Sequence, residues 1–208
     1  MPGENGVPEE INLDFARQWV LPRLSEKRFK HVAGVVATAR TLSHKAGVST
    51  FLAELSGWLH DASKEIKDRD LVDLARKFQI PLDDILIKQG HLLHGPVASA
   101  TVKAELGISN QEVLSAIAEH TLGAVPMAPL SQVLYLADCL EDSRPRHYTD
   151  PIWDALDLDG KFDMEAAIYV ATNCGLKHLI ESGRPIHPKT VEVRNYYLDI
   201  VNTRSSTR

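Results

Sequence analysis

Histidine and carboxylate side chains recur in this sequence at the ends of apolar runs, where burial makes an ionisable group costly. Five places concentrate them: Arg28-Phe29-Lys30-His31, His60-Asp61-Ala62-Ser63-Lys64, His91-Leu92-Leu93-His94-Gly95-Pro96, Glu119-His120-Thr121, and Asp138 within Tyr135-Leu136-Ala137-Asp138-Cys139. Singly, each reads as a cap or a satisfied core group. Together they ask for more. The pair His60-Asp61 follows the apolar run Leu55-Ser56-Gly57-Trp58-Leu59, and Asp138 follows Val133-Leu134-Tyr135-Leu136-Ala137. A buried carboxylate needs a cation, a hydrogen-bond network or a metal. Two such acids with several imidazoles suit one shared metal centre. Mixed nitrogen and oxygen ligands favour Fe, Mn, Co or Zn over Ca or Mg, which prefer all-oxygen shells.

Helices must deliver these groups, because the hydrophobic period is helical almost throughout. Ser25 caps a predicted helix with Phe29, Val32, Ala33, Val36 and Ala39 on its apolar side, ending before Gly47. A second starts near Thr50, and Asp68 caps a third. Ile80-Pro81 breaks the chain before a short fourth through Leu82, Ile85 and Leu86. Pro96 suits the first turn of a fifth, which stops at Gly107. Ser109-Asn110-Gln111-Glu112 reads as a capping box, and Pro129 opens the helix carrying Asp138. Beyond the polar segment Asp142–Asp150, the pattern predicts helices over Pro151–Leu156, Met164–Glu181 and Pro188–Val201. The fold class is all-α: a disordered lead over residues 1–10, one helical domain over 11–202 and a flexible tail over 203–208.

Composition narrows the partners. The chain has 208 residues, 23 Lys and Arg against 28 Asp and Glu, and a formal charge of −5, so a general nucleic-acid surface is not expected. An anionic small molecule fits only where cations gather locally. No window is long and apolar enough for a membrane span, and the N-terminus lacks the pattern of a signal peptide. Cys139 and Cys174 are too few for a disulfide framework; they read as reduced core thiols in a cytoplasmic protein. Trp19, Trp58 and Trp153 read as core, and the sequence leaves open a homodimer built on an apolar helix face.

The order His31, His60-Asp61, His94, His120, Asp138 resembles the HD superfamily of metal-dependent phosphohydrolases. The strings HDASKE, LLHGPVA, AEHTLG, YLADCLE and GRPIHPKTVEVRN resemble the YqeK family within it, which is similar to symmetrical diadenosine-tetraphosphate hydrolases. Leu122 departs from the second threonine expected after His120-Thr121. The resemblance implies an HD-domain helical bundle, with His31, His60, Asp61 and Asp138 as ligands of iron, one ion or two, or of Mn, Co or Zn. It also implies a dinucleoside polyphosphate substrate and an ADP product. For His94 and His120 it leaves two roles, contacts to phosphate or ligands of a second ion.

Cations complete the expected site. Arg28 shares a helix side with His31, Lys64 follows Asp61, Arg144 lies just beyond Asp138, and Arg184 and His187 precede Pro188, where a helix start suits an anion. The ordinary reading of each is a solvated charge; what sets them apart is repeated placement within a turn or two of the ligand candidates. The expected chemistry is hydrolysis of a phosphoanhydride by a metal-activated water, whose pKa falls from about 15.7 toward roughly 7. Arg28, Lys64, His94, His120 and Arg144 would spread transition-state charge, and Lys64 or a histidine would protonate the leaving group. Two alternatives accompany this reading: hydrolysis of a deoxynucleoside triphosphate or guanosine alarmone, and a nucleotide-sensing module without turnover.

Overall fold

The computed structural model describes residues 6–158 and 160–205. Among these, eleven α-helices and one two-stranded ribbon account for the regular structure, apart from two 3₁₀ turns at Leu21–Arg23 and Gly90–Leu93. The all-α expectation holds. The helices are α1 (Leu13–Val20), α2 (Glu26–Ala46), α3 (Thr50–Leu59), α4 (Asp68–Lys77), α5 (Asp84–Lys88), α6 (His94–Leu106), α7 (Gln111–Glu119), α8 (Pro129–Leu140), α9 (Arg146–Leu156), α10 (Met164–Glu181) and α11 (Pro188–Ser205). The ribbon pairs β1 (Asp157–Leu158) with β2 (Lys161–Phe162) in antiparallel register, Asp157 opposite Phe162.

The long α2 is the spine. Ser25 caps its start by accepting from the Arg28 N–H, and Gly47 ends it at φ 67°, where a side chain would be strained. Its buried stripe of Val32, Val35, Val36, Ala39 and Leu42 packs on α3 and α8. The approach to α3 is close because Gly57 has no side chain: a Cβ there would sit 3.0 Å from Val36 Cγ2 and 3.2 Å from Val36 Cα. α6, α7 and α8 continue the main core, and α10 pairs with α9 and α11 to close it. A smaller cluster of Leu71, Val72, Ala75, Leu93 and Val97 fastens α4 to the turn before α6.

Several local expectations change. α4 begins at Asp68, but Lys67 is the N-cap and no side chain caps it. Asn110, not Ser109, caps α7, its carbonyl oxygen accepting from the Val113 N–H. α9 starts at Arg146, not Pro151, which lies inside it; its first turn, Arg146 to Thr149, carries no apolar period, although Thr149 is buried. Trp153 is 38% exposed, not core. Residues 1–5 of the expected lead lie outside the described residues, whereas Val7 is buried in the core and the Gly6 carbonyl accepts from Ser109 and Asn110 N–H. The expected tail is helical through Ser205, and residues 206–208 lie outside the description. No helix among the described residues is long and apolar enough to cross a membrane.

Candidate metal centre

Helix ends converge on the centre. His60 is the C-cap of α3 and His120 the C-cap of α7, so both enter at the negative pole of a helix, which favours a cation. The last carbonyls of a helix lack intrahelical partners, and these rings use them. His60 Nδ1 lies 2.6 Å from the Gly57 carbonyl, and His120 Nδ1 lies 2.8 Å from that of Ile117. His94, the first residue of α6, does the same with the His91 carbonyl at 2.5 Å. Each ring therefore donates Nδ1–H backwards and turns an Nε2 lone pair inward.

His31 enters from the second turn of α2, and Asp138 from the last turn of α8. His31 Nε2 stands 3.1 Å from Asp138 Oδ1 and 3.7 Å from Asp61 Oδ2, so one imidazole nitrogen ties both acids into a single centre. Asp61 is 2% exposed. Its Oδ2 meets the Arg28 guanidinium at 3.0 Å and His60 Nε2 at 3.5 Å, while Oδ1 faces His94 at 3.3 Å and His120 at 3.7 Å. Arg144 holds Asp138 Oδ1 at 2.8 Å and donates Nε–H to its backbone carbonyl. Lys64 reaches His94 Nε2 at 3.2 Å, and the Thr121 hydroxyl bridges His94 and His120.

Two triads have ligand atoms within 4.8 Å of one another: His31, His60 and Asp61, and Asp61, His94 and His120. Asp138 adjoins the first through His31. The donor set fits a metal. His60 Nε2 is buried without a hydrogen-bond partner, and His31 Nε2, though close to Asp138, is not aligned to bond it. His94 Nε2 and His120 Nε2 point at each other across 2.9 Å, two acceptors beside a third, Asp61 Oδ1. A cation at either triad would satisfy acceptors that the protein leaves without a donor.

The electrostatics agree. Burial lowers the pKa of His60 and takes that of His120 down to about 3, helped by neighbouring imidazoles, so both are neutral near pH 7. Burial works against ionisation of Asp61 and Asp138, but the histidines around both and Arg144 beside Asp138 hold them below the usual carboxylate range. Burial lowers the Lys64 pKa and eases release of its proton.

Cavities open on two sides. One of about 290 Å³ runs from Lys64, His94 and Asp138 to Arg184, with Leu92 and Leu122 among its apolar walls. The other lies at the start of α2, between Lys27, Arg28, Glu65 and Ser143. Arg144 borders both. Arg184 is exposed at the rim of the first. His187 also lines it, but its ring is committed: Nε2 binds Asp83 at 2.8 Å and Nδ1 accepts the Lys189 N–H, so this helix start is already capped. Glu141 and Thr121 also belong to the site. Each stands in a motif named above, and the position of Glu141 one helical turn after Asp138 is the sequence signal for it.

Residues 28–142 match the HD domain model. The chain belongs to the HD domain family. The matched segment contains every ligand candidate, while α9, α10 and α11 lie beyond it. A Staphylococcus aureus protein named symmetrical bis(5'-nucleosyl)-tetraphosphatase is 31% identical over 90% of this chain and 95% of its own length. A protein of the same name from Halalkalibacterium halodurans is 32% identical over 90% of this chain and 98% of its own. A crystal structure from Clostridium acetobutylicum, described as an HD superfamily hydrolase involved in NAD metabolism, matches with a TM-score of 0.84 and 30% identity over 91% of this chain and 98% of that one.

Proposed function

We propose that this HD-family protein hydrolyses diadenosine tetraphosphate symmetrically, adding one water across the central phosphoanhydride to give two ADP. The observation that carries the reading is an acceptor-lined centre reached by two cavities, with Arg144 bordering both. A four-phosphate chain with a nucleoside at each end needs access of that kind. The names of the relatives support the same substrate over a deoxynucleoside triphosphate or a guanosine alarmone. We read residues 11–202 as one domain, since a single main core runs from α1 to α11. A cytoplasmic setting suits the two free thiols.

His31, His60, Asp61 and Asp138 would hold iron, with Mn, Co or Zn as substitutes. Such an ion supplies Lewis acidity toward a phosphate oxygen and acidifies water. The chain's own groups do the rest. Arg28 and Arg144, now paired to Asp61 and Asp138, present N–H donors to non-bridging oxygens and spread charge in the transition state. Lys64 is placed to deliver a proton to the leaving ADP. Arg184 supports the outer phosphates or nucleoside, and His187 fixes the wall.

A second ion is favoured over phosphate contact at His94 and His120. With Nδ1–H bound to carbonyls, their Nε2 lone pairs would repel phosphate oxygens, whereas together with Asp61 they would hold a cation. Elemental analysis should give two ions per chain, falling to one in His120→Ala. Chromatography of the products from diadenosine tetraphosphate tests the main reading: ADP alone is expected. AMP plus ATP would overturn the symmetry, and ADP binding without turnover would indicate a sensor.

A further inference from the structure

Three of the four site histidines are aimed by a carbonyl three residues back in their own chain, but His31 has no such recourse. It lies inside the 21-residue α2, where carbonyls accept from the next turn's N–H groups. Its Nδ1 finds instead a side chain from another element, Glu141 Oε1 at 3.0 Å.

Glu141 is built for that contact. It follows the last residue of α8 and is 2% exposed, a depth at which a carboxylate needs partners. Ser143 supplies them from the adjoining loop: its N–H donates to Oε2 at 2.8 Å and its hydroxyl to Oε1. The carboxylate is thus fixed without help from His31. α2 leaves room for it one turn after His31, at Gly34, where a Cβ would stand only 2.8 Å from Glu141 Oε2. Asp138, one turn earlier on α8, faces the other nitrogen of the same ring at 3.1 Å.

We propose that Glu141 is the positioning residue of His31. Its carboxylate accepts Nδ1–H, selects the tautomer whose Nε2 lone pair points into the centre, and makes that nitrogen a better ligand. Gly34 is its spatial counterpart. The proposal rests on His31 being a metal ligand, as in the reading above.

Two readouts separate its failure from that of the reading. In the metal-free protein, ¹⁵N correlation spectra of the His31 ring, taken where imidazoles are neutral, should show protonated Nδ1; Glu141→Ala should give a tautomer mixture. Competition against a chelating dye should show Mn²⁺ affinity falling roughly 10–100-fold in Glu141→Ala, with partial rescue in Glu141→Gln, which keeps an acceptor. Should Glu141→Ala fail to fold, Gly34→Ala displaces the carboxylate while keeping its charge, and should reproduce both effects. Wild-type tautomer and affinity in the folded variant, with only thermal stability reduced, would overturn the proposal. Wild-type protein that binds no ion but keeps the expected tautomer would instead count against the metal reading.

Discussion

Asp61 meets Arg28 through one carboxylate oxygen and faces His94 and His120 through the other, so it joins the basic groups to both ligand triads. Asp61→Asn keeps the shape and removes the charge. Turnover should fall on the order of 10³-fold with helicity by circular dichroism unchanged; retained turnover would remove Asp61 from the machinery. Acid should act through the same cluster. The pKa of His60 is lowered by burial and that of His120 reaches about 3, against 6.5 for free imidazole. Below 6.5 the unfolded chain therefore binds protons that the native fold refuses, and stability falls with pH. His31 acts oppositely: burial resists its protonation, but Asp138 and Glu141 outweigh burial and raise its pKa, so its contribution is full below 6.5 and is lost as pH rises through the folded value. Below 6.5 the His31 proton is bound in both states, so it does not offset the loss that His60 and His120 cause as pH falls. Asp61 and Asp138, held low in the fold, add to the loss only once pH drops below 3.8. Melts of the metal-free protein should show the melting temperature dropping between pH 6.5 and pH 5, more steeply than in His120→Asn. A flat profile would contradict these assignments.

Helix contacts convert these residue properties into a site, and glycine sets the spacing at two of them. Gly57 lets α2 and α3 close, bringing His31 to His60. Gly95 does the same between α6 and α7: a Cβ there would stand 2.9 Å from the Ile117 carbonyl, which anchors His120, and 3.1 Å from the His120 ring. Gly95→Ala should cost about 1–3 kcal/mol of stability from overpacking and weaken Mn²⁺ binding, while Gly175→Ala, which meets nothing within 4 Å, should not weaken it through crowding. Calorimetric unfolding and dye competition check both. The sequence made the helices legible where one face is apolar, and it marked His60, Asp61 and Asp138 because acids at the ends of apolar runs demand partners. It missed the first turn of α9, where Arg146 to Thr149 show no apolar period, and Glu141, whose role appears only when α8 lies beside α2. His187 looked like an anion contact from its place before Pro188, but Asp83, remote in the chain, occupies it. Pattern within an element is local information; pairing between elements is not.

Across the whole molecule, labour is divided along the chain. The HD-matched segment carries the ligand candidates, whereas the later helices and the loop before α11 supply Arg184 and much of the wall of one cavity. Arg184→Ala should therefore raise KM for diadenosine tetraphosphate several-fold while leaving kcat and ion content near wild type; steady-state kinetics with elemental analysis would show otherwise if Arg184 served the centre itself. The Arg28–Asp61 and Arg144–Asp138 pairs have a larger consequence. Guanidinium groups balance the acids before any cation arrives, so the scaffold does not need its cofactor to stand. Stripping with a chelator should abolish turnover yet leave far-ultraviolet dichroism intact, and adding the ion back should restore activity with no refolding delay. On the proposed function, a freshly made chain waits assembled but idle, and the local supply of its ion decides when it begins to work.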